Sequence, residues 1–454
     1  MAKKTTKSSG GTSSTKTNVK RVAKAVTKYD TSKSVKDNSE AIGGIVAATA
    51  TSAARSKNKK QKTFFIVLLV IVLIAIVGVM VYGYYQGWFD TLLGKKPGGN
   101  GGNGGGGGTG GVADMSIHFM MLGNQNTGDS VYIKAGDVDI LIDAGSRSNS
   151  APVITDYINQ YCDDGILEYV IVTHAHQDHI EGFVSTSTTK GIFESFQCKT
   201  IIQFARTDIS ETTGAGNRST YGKYIDARNE QVAKYGTNVY TAQECIDNSN
   251  DIPKLFEIAD GITMEILDQR FYRDKTSDEN NYSVCVLFTH GDNHYLFTGD
   301  LEEAGEASLV ALNPDLPEVE LYKGGHHGSY TAGSLVLLEK IKPKTICICC
   351  CAGNVEYLTG ATYDKQNLAH SFPAQEFIDR IAPYTDDVYV TTRGFIKDNG
   401  TKWVNDGFEP MNGNINFSCI NGVINISCSN NNTKLKDTTW FANNRTCPEA
   451  WKNQ

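Results

Sequence analysis

From about residue 114 onward, short apolar runs alternate with polar breaks at strand-like lengths, with a few helical periods between them. Residues 167–172 (Leu-Glu-Tyr-Val-Ile-Val) read as a buried strand, rich in β-branched residues and bounded upstream by Cys162-Asp163-Asp164-Gly165. Residues 116–123, 129–134 and 138–145 give three earlier strands, the last two joined by a hairpin turn at Gly136-Asp137. Residues 153–161 predict a helix with Pro152 in its first turn. Between 192 and 266 a strand at 200–204 and a polar helix at 220–236 follow. A second hairpin runs from 282 to 300 and turns at His290-Gly291-Asp292-Asn293. Strands at 316–322, 345–351 and 388–391 alternate with helices ending near 340 and 381, and strands at 413–417 and 422–426 close the pattern. Strand pairs, then helix and strand alternating, then strand pairs again predict a layered α/β sandwich rather than a doubly wound parallel sheet.

Upstream the pattern changes character. Residues 64–82 are nineteen residues without a charge, which as a helix would span about 28 Å, the thickness of a hydrocarbon core. Arg55, Lys57, Lys59, Lys60 and Lys62 precede this run, and Tyr82, Tyr84, Tyr85 and Trp88 flank its far end. The positive-inside rule therefore predicts one transmembrane helix at 63–85, with the N-terminus cytoplasmic and the remainder extracytoplasmic. A cleaved signal peptide is disfavoured by the long N-region and the lack of a small-residue cleavage site. Residues 94–113 are Gly-rich and predict a flexible linker, of about 20 Å reach over 97–111 by random-coil scaling.

Charge divides the chain in the same place. Residues 1–62 carry 15 Lys and Arg against 3 Asp and Glu, which predicts a basic disordered tail. The remainder carries 28 against 47. So acidic a domain disfavours long nucleic acid as a partner, although a local basic groove would permit it.

The candidate chemistry lies just behind the strand at 167–172, in Thr173-His174-Ala175-His176-Gln177-Asp178-His179. Three imidazoles and a carboxylate within six residues, placed where a strand turns into a helix, can converge on one point. That ligand set suits zinc, manganese or ferrous iron at an open catalytic site. The chain holds only nine His, so a polar loop that happens to be His-rich is the weaker reading. His118, in an apolar strand, reads as a satisfied core residue, and His290, His294 and His370 as surface or loop residues. All eleven Cys lie beyond residue 85. Cys347, Cys349, Cys350 and Cys351 fall in an apolar strand and are expected to be buried thiols. Cys419, Cys428 and Cys447 could supply one disulfide in an oxidising compartment.

Four landmarks occur in order: Leu141-Ile142-Asp143-Ala144-Gly145, the HxHxDH run at 174–179, Thr298-Gly299-Asp300, and His326-His327-Gly328-Ser329. In these the chain resembles the metallo-β-lactamase superfamily over roughly residues 114–400. The phrases FTGDLE at 297–302 and KGGHHGS at 323–329 resemble the ComEC-like and surface phosphorylcholine-esterase-like branch. The resemblance implies a four-layer αβ/βα sandwich at 114–400, with a C-terminal β-rich segment at 401–454 packed on it or extending it.

The resemblance also implies two divalent metal ions, Zn or Mn, with His174 and His176 on one, Asp178 and His179 on the other, Asp300 bridging both and His326 completing the ligands of the second metal. Asp143 would orient a ligand imidazole. Asp178, Asp300 and His327 would be the catalytic group, His327 protonating the substrate or leaving group, with the order of His326 and His327 open to reversal. Read from the residues themselves, Lys323 and Ser329 could hold an anionic substrate group, or be a solvated Lys and a turn Ser with equal weight. No His is suitably placed between His179 and Asp300 to supply the further ligand many members carry. The expected activity is extracytoplasmic hydrolysis of a small or envelope-attached phosphodiester by metal-bound hydroxide. A lactone or β-lactam hydrolase, or a surface binding module with a vestigial site, are the alternatives.

Overall fold

In the computed structural model, residues 112–354, 371–398, 400 and 403–452 are described. The basic tail at 1–62, the hydrophobic run at 63–85, most of the linker at 94–113, and His370 lie outside the described residues. Among the described residues no helix is long and apolar enough to cross a membrane.

Among the described residues, sixteen strands form two eight-stranded sheets. The first contains β1 (Met115–Phe119), β2 (Val131–Ala135), β3 (Val138–Ile142), β4 (Ile166–Val172), β5 (Gln197–Gln203) and β6 (Asn238–Thr241), with β15 (Ile415–Ile420) and β16 (Val423–Cys428) added beside β1. The second contains β7 (Leu255–Ala259), β8 (Ile262–Leu267), β9 (Cys285–His290), β10 (Asn293–Phe297), β11 (Leu321–Lys323), β12 (Thr345–Ala352), β13 (Val388–Asp398) and β14 (Trp403–Pro410). Each sheet begins as antiparallel hairpins and turns parallel part-way, at β3–β4 in the first and β10–β11 in the second.

That switch follows from the connections. Two-residue turns join β2 to β3 and β9 to β10, whereas parallel neighbours need crossovers, here carrying helices such as Ser150–Ile158 and Glu303–Leu312. β12 is buried along its whole length, as a parallel strand covered on both faces must be, which explains its unbroken apolar run. The helix Thr220–Tyr235 starts where the Ser219 hydroxyl accepts from the Gly222 amide at 3.0 Å, and stops at Gly236 in a left-handed conformation.

Between the sheets Phe119 stacks on Phe297 with ring centroids 6.3 Å apart, and within the second sheet Phe288 meets Phe297 edge-on at 5.8 Å. A second core joins the other face of the second sheet to the helices Glu303–Leu312, Leu335–Ile341 and Gln375–Ile381. The layered sandwich expected from the pattern is present, and the C-terminal segment supplies strands to both sheets.

Two smaller expectations are corrected. His290 is buried, with Nε2 2.7 Å from the Ala113 carbonyl and Nδ1 3.2 Å from the Tyr295 hydroxyl. No disulfide joins Cys419, Cys428 or Cys447. On the β15–β16 hairpin Cys419 faces Ile424 while Cys428 faces Ile415, so the register holds those two apart.

Phe297 carries the inter-sheet contact, so Phe297→Ala should lower unfolding free energy by about 3–5 kcal/mol in chemical denaturation. A loss below about 1 kcal/mol would show that the two sheets do not depend on this packing.

Candidate metal centre

The landmark side chains meet at one corner of the sandwich, at the carboxyl ends of the inner strands. Asp143 follows β3, Thr173, His174 and His176 follow β4, and Asp178 and His179 lie in the single helical turn Gln177–Ile180. From the second sheet, Asp300 follows β10, Lys323 ends β11, and His326 and His327 lie in the turn Gly325–Gly328. Gly299, at φ +57°, makes the turn before Asp300, and a Cβ there would come within 2.8 Å of the Ser283 hydroxyl and 2.9 Å of Thr173 Cβ.

Hydrogen-bond direction settles which ring nitrogens face the corner. Thr173 Oγ1 donates to Asp143 Oδ2 at 2.7 Å, leaving its lone pairs to accept from His174 Nδ1 at 3.1 Å. His179 Nδ1 donates to Asp143 Oδ2 at 2.7 Å, and His327 Nδ1 donates to the Cys349 carbonyl at 2.8 Å. Each of these three rings therefore turns Nε2 to the common space. His176 approaches with Nδ1, 3.0 Å from His174 Nε2. Asp143 stands where a carboxylate orienting a ligand imidazole is needed, and also receives the Thr173 amide at 2.8 Å.

One ligand atom from each of Asp178, His179, Asp300 and His327 lies within 4.8 Å of the others. Asp300 Oδ2 is 3.0 Å from both His179 Nε2 and His327 Nε2, and Asp178 Oδ2 is 3.3 Å from the latter. Yet His327 Nε2 is buried without a well-directed hydrogen bond. His179 Nε2 is hydrogen-bonded to Asp300 Oδ2, whereas His327 Nε2 crowds Asp300 and Asp178 without pointing at either and is aimed at the space they share. An imidazole and carboxylate set converging in this way fits a divalent cation of the zinc or manganese kind.

The electrostatics agree. Burial would raise the Asp300 carboxyl, but His179, His327, Lys323 and His326 outweigh it and hold the group well below the usual carboxylate range. Burial pulls His179 and His327 down, whereas Asp300 with Asp143, and Asp300 with Asp129, hold them well above the ordinary imidazole value. His174 is pushed well below that value by burial and by His179 and His176, and so stays neutral. A divalent cation competes with protons for the same nitrogen lone pairs.

Several placements differ from the sequence reading. His326 and His327 do not extend a strand with alternating faces, because β11 ends at Lys323 and both residues are left-handed, at φ +43° and +55°. Adjacent non-glycine residues in that region are strained, and such strain collects at functional sites. The turn leaves His327 inside the ligand group. His326 Nε2 stands farther off, 4.0 Å from Asp300 Oδ2, with its Nδ1 3.2 Å from Glu302 and 3.1 Å from the Thr331 hydroxyl.

Lys323 is 2 % exposed, and its ammonium is paired with Asp129, the Gly299 carbonyl and Asp300. It is sunk beneath the site and has no free face for an anionic substrate. Ser329 is also buried, its hydroxyl 2.9 Å from that of Thr331 within the turn. Asp129, Ser283 and Glu302 also stand at the corner, without a sequence signal that marks them. Asp129 is buried between Lys323 and His327, but in the sequence it is only an Asp after a Gly at the start of a strand, an everyday turn signature.

Asp143→Ala should weaken divalent-metal binding by about 10–100-fold, since the His179 ring loses its anchor. Asp143→Asn should lose less. Equal loss in both variants, read by equilibrium dialysis against zinc, would contradict an orienting role.

No protein-family model matches the chain. It is 28 % identical over 97 residues to ComE operon protein 3 of Bacillus subtilis strain 168, a match covering 20 % of this chain and 12 % of that protein. The chain thus spans about an eighth of that relative's length. Among solved structures, the metallo-β-lactamase fold protein YhfI of Bacillus subtilis matches with a TM-score of 0.34 and 13 % identity, over 61 % of this chain and 95 % of its own. A metallo-β-lactamase of Cronobacter sakazakii matches with a TM-score of 0.25 and 15 % identity, over 44 % and 75 %. With two facing sheets and the four landmarks gathered at one corner, the chain is similar in arrangement to these metallo-β-lactamase-fold proteins, and over the aligned fifth of its length it is similar in sequence to ComE operon protein 3.

Proposed function

We propose that the chain is a metal-dependent hydrolase that cleaves a small or envelope-attached phosphodiester on the outer side of a membrane in which residues 63–85 anchor it. The observation that carries the catalytic reading is the fixed direction of the rings: His174, His179 and His327 each spend Nδ1 on the protein and turn Nε2 to one corner. His174 and His176 would hold one divalent ion. Asp178, His179 and His327 would hold a second, with Asp300 shared between them. Such ions supply a hydrolytic nucleophile at neutral pH and attract the anionic oxygens of a phosphodiester.

The remaining roles belong to the protein. Asp143 and Thr173 set the ring orientations. The Asp178 side chain keeps 30 % exposure and marks the open side of the corner. His326, steered through Nδ1 by Glu302, presents Nε2 to the leaving group, so the two adjacent histidines exchange the roles first assigned to them. The anionic substrate is met by the ions rather than by Lys323, and the acidic domain weakens its hold on long polyanions.

Purified protein loaded with zinc or manganese should hydrolyse bis(p-nitrophenyl) phosphate, and chelator or Asp300→Asn should abolish the activity. His327→Ala should lower metal content, whereas His326→Ala should keep the metal and lose turnover. Rapid cleavage of a β-lactam or lactone with no phosphodiesterase activity would replace the substrate assignment. Protease added to intact cells should release the folded domain and spare the basic tail; digestion of the tail from outside would reverse the topology.

A further inference from the structure

The best-satisfied charge in the corner belongs to a residue that touches neither solvent nor the open side of the site. Lys323 ends β11 in the second sheet, and Asp129 precedes β2 in the first, so their ion pair bridges the two sheets directly beneath the candidate metal centre. An ammonium has three protons to give. Here three acceptors surround it: Asp129 Oδ2, the Gly299 carbonyl at 3.0 Å and Asp300 Oδ1 at 3.3 Å.

The consequence falls on Asp300. Its Oδ1 is committed to Lys323, while its Oδ2 alone faces His179 and His327, 3.0 Å from each. The carboxylate is therefore divided between two tasks, with little freedom to rotate. Asp129 is itself well braced: its amide donates to the Asp178 carbonyl at 3.1 Å, and its carbonyl accepts from the Gly145 amide at 2.7 Å. It ties the Asp143-Ala144-Gly145 turn, the HxHxDH turn and Lys323 into one frame.

We propose that Lys323 is a positioning residue that pins one oxygen of Asp300, so that the carboxylate offers a single oxygen to the metal centre, with Asp129 as the counter-charge that fixes the ammonium. Without the pin, Asp300 could swing to give both oxygens to one ion, and the shared position would be lost. This inference rests on the metal-dependent reading above.

The simpler alternative is that Lys323 only neutralises Asp129, a structural service. Two variants of the full-length chain separate these accounts. Lys323→Met alone leaves Asp129 buried without its partner and is expected to fold poorly. The pair Asp129→Asn with Lys323→Met removes both charges, so a purely structural role predicts full recovery. A pinning role predicts a folded protein, by circular dichroism and by metal-free melting close to wild type, that still binds at least one zinc equivalent about 10–100-fold more weakly. Its cobalt-substituted absorption spectrum should also differ from wild type, reporting changed ligand geometry without recourse to activity. A doubly substituted chain that binds zinc and cobalt as wild type does, or that fails to fold, overturns the pinning role and leaves the functional reading intact. Wild-type protein that takes up no metal overturns both.

Discussion

Concentration of negative charge at one buried corner is the constraint on which the rest of this structure depends. Asp129, Asp143 and Asp300 are each at most 3 % exposed, and Asp178 stands beside them at the rim. An ionised carboxylate removed from water without a partner costs several kcal/mol even after relaxation, so such a corner exists only where cations and donors are built around it. Lys323 supplies one permanent charge. His179 and His327, held well above the ordinary imidazole value by these carboxylates, supply two more. Thr173, the Cys349 carbonyl and the turn glycines then fix the directions in which the rings point.

The fold makes this concentration affordable by bringing strand ends of two sheets together. Each sheet switches from antiparallel to parallel pairing part-way across, and the residues that follow β3, β4, β10 and β11 leave at the same edge. The carboxyl ends of parallel strands are where α/β folds place their ligands. The Phe119–Phe297 contact between the sheets holds the two halves of the site in register, and the Asp129–Lys323 pair does the same at the site itself.

Much of this was legible in the sequence, for a physical reason. Metal-ligand types are scarce in this chain, and clustering them behind a β-branched run leaves a linear trace, so His174, His176, Asp178 and His179 could be read directly. Asp300 was legible because a strand leads into it through Gly299, and Asp143 because it stands at a strand end before a small-residue turn with the other landmarks following in order. Asp129 and Lys323 were not, since an Asp at a turn and a Lys near a strand end are ordinary surface features. Only the tertiary fold shows them buried against each other. The order of His326 and His327 was likewise hidden, because alternation along a strand does not apply once both residues adopt the left-handed conformation.

The proposed divalent-metal centre at this corner uses His327 and not His326. Anomalous diffraction at the zinc edge, from zinc-soaked crystals, tests this most directly. The predicted result is density bounded by Asp178, His179, Asp300 and His327, with a neighbouring peak at His174 and His176 and His326 outside both ligand shells. A corner without anomalous density, or a single peak ligated by His326, would contradict it.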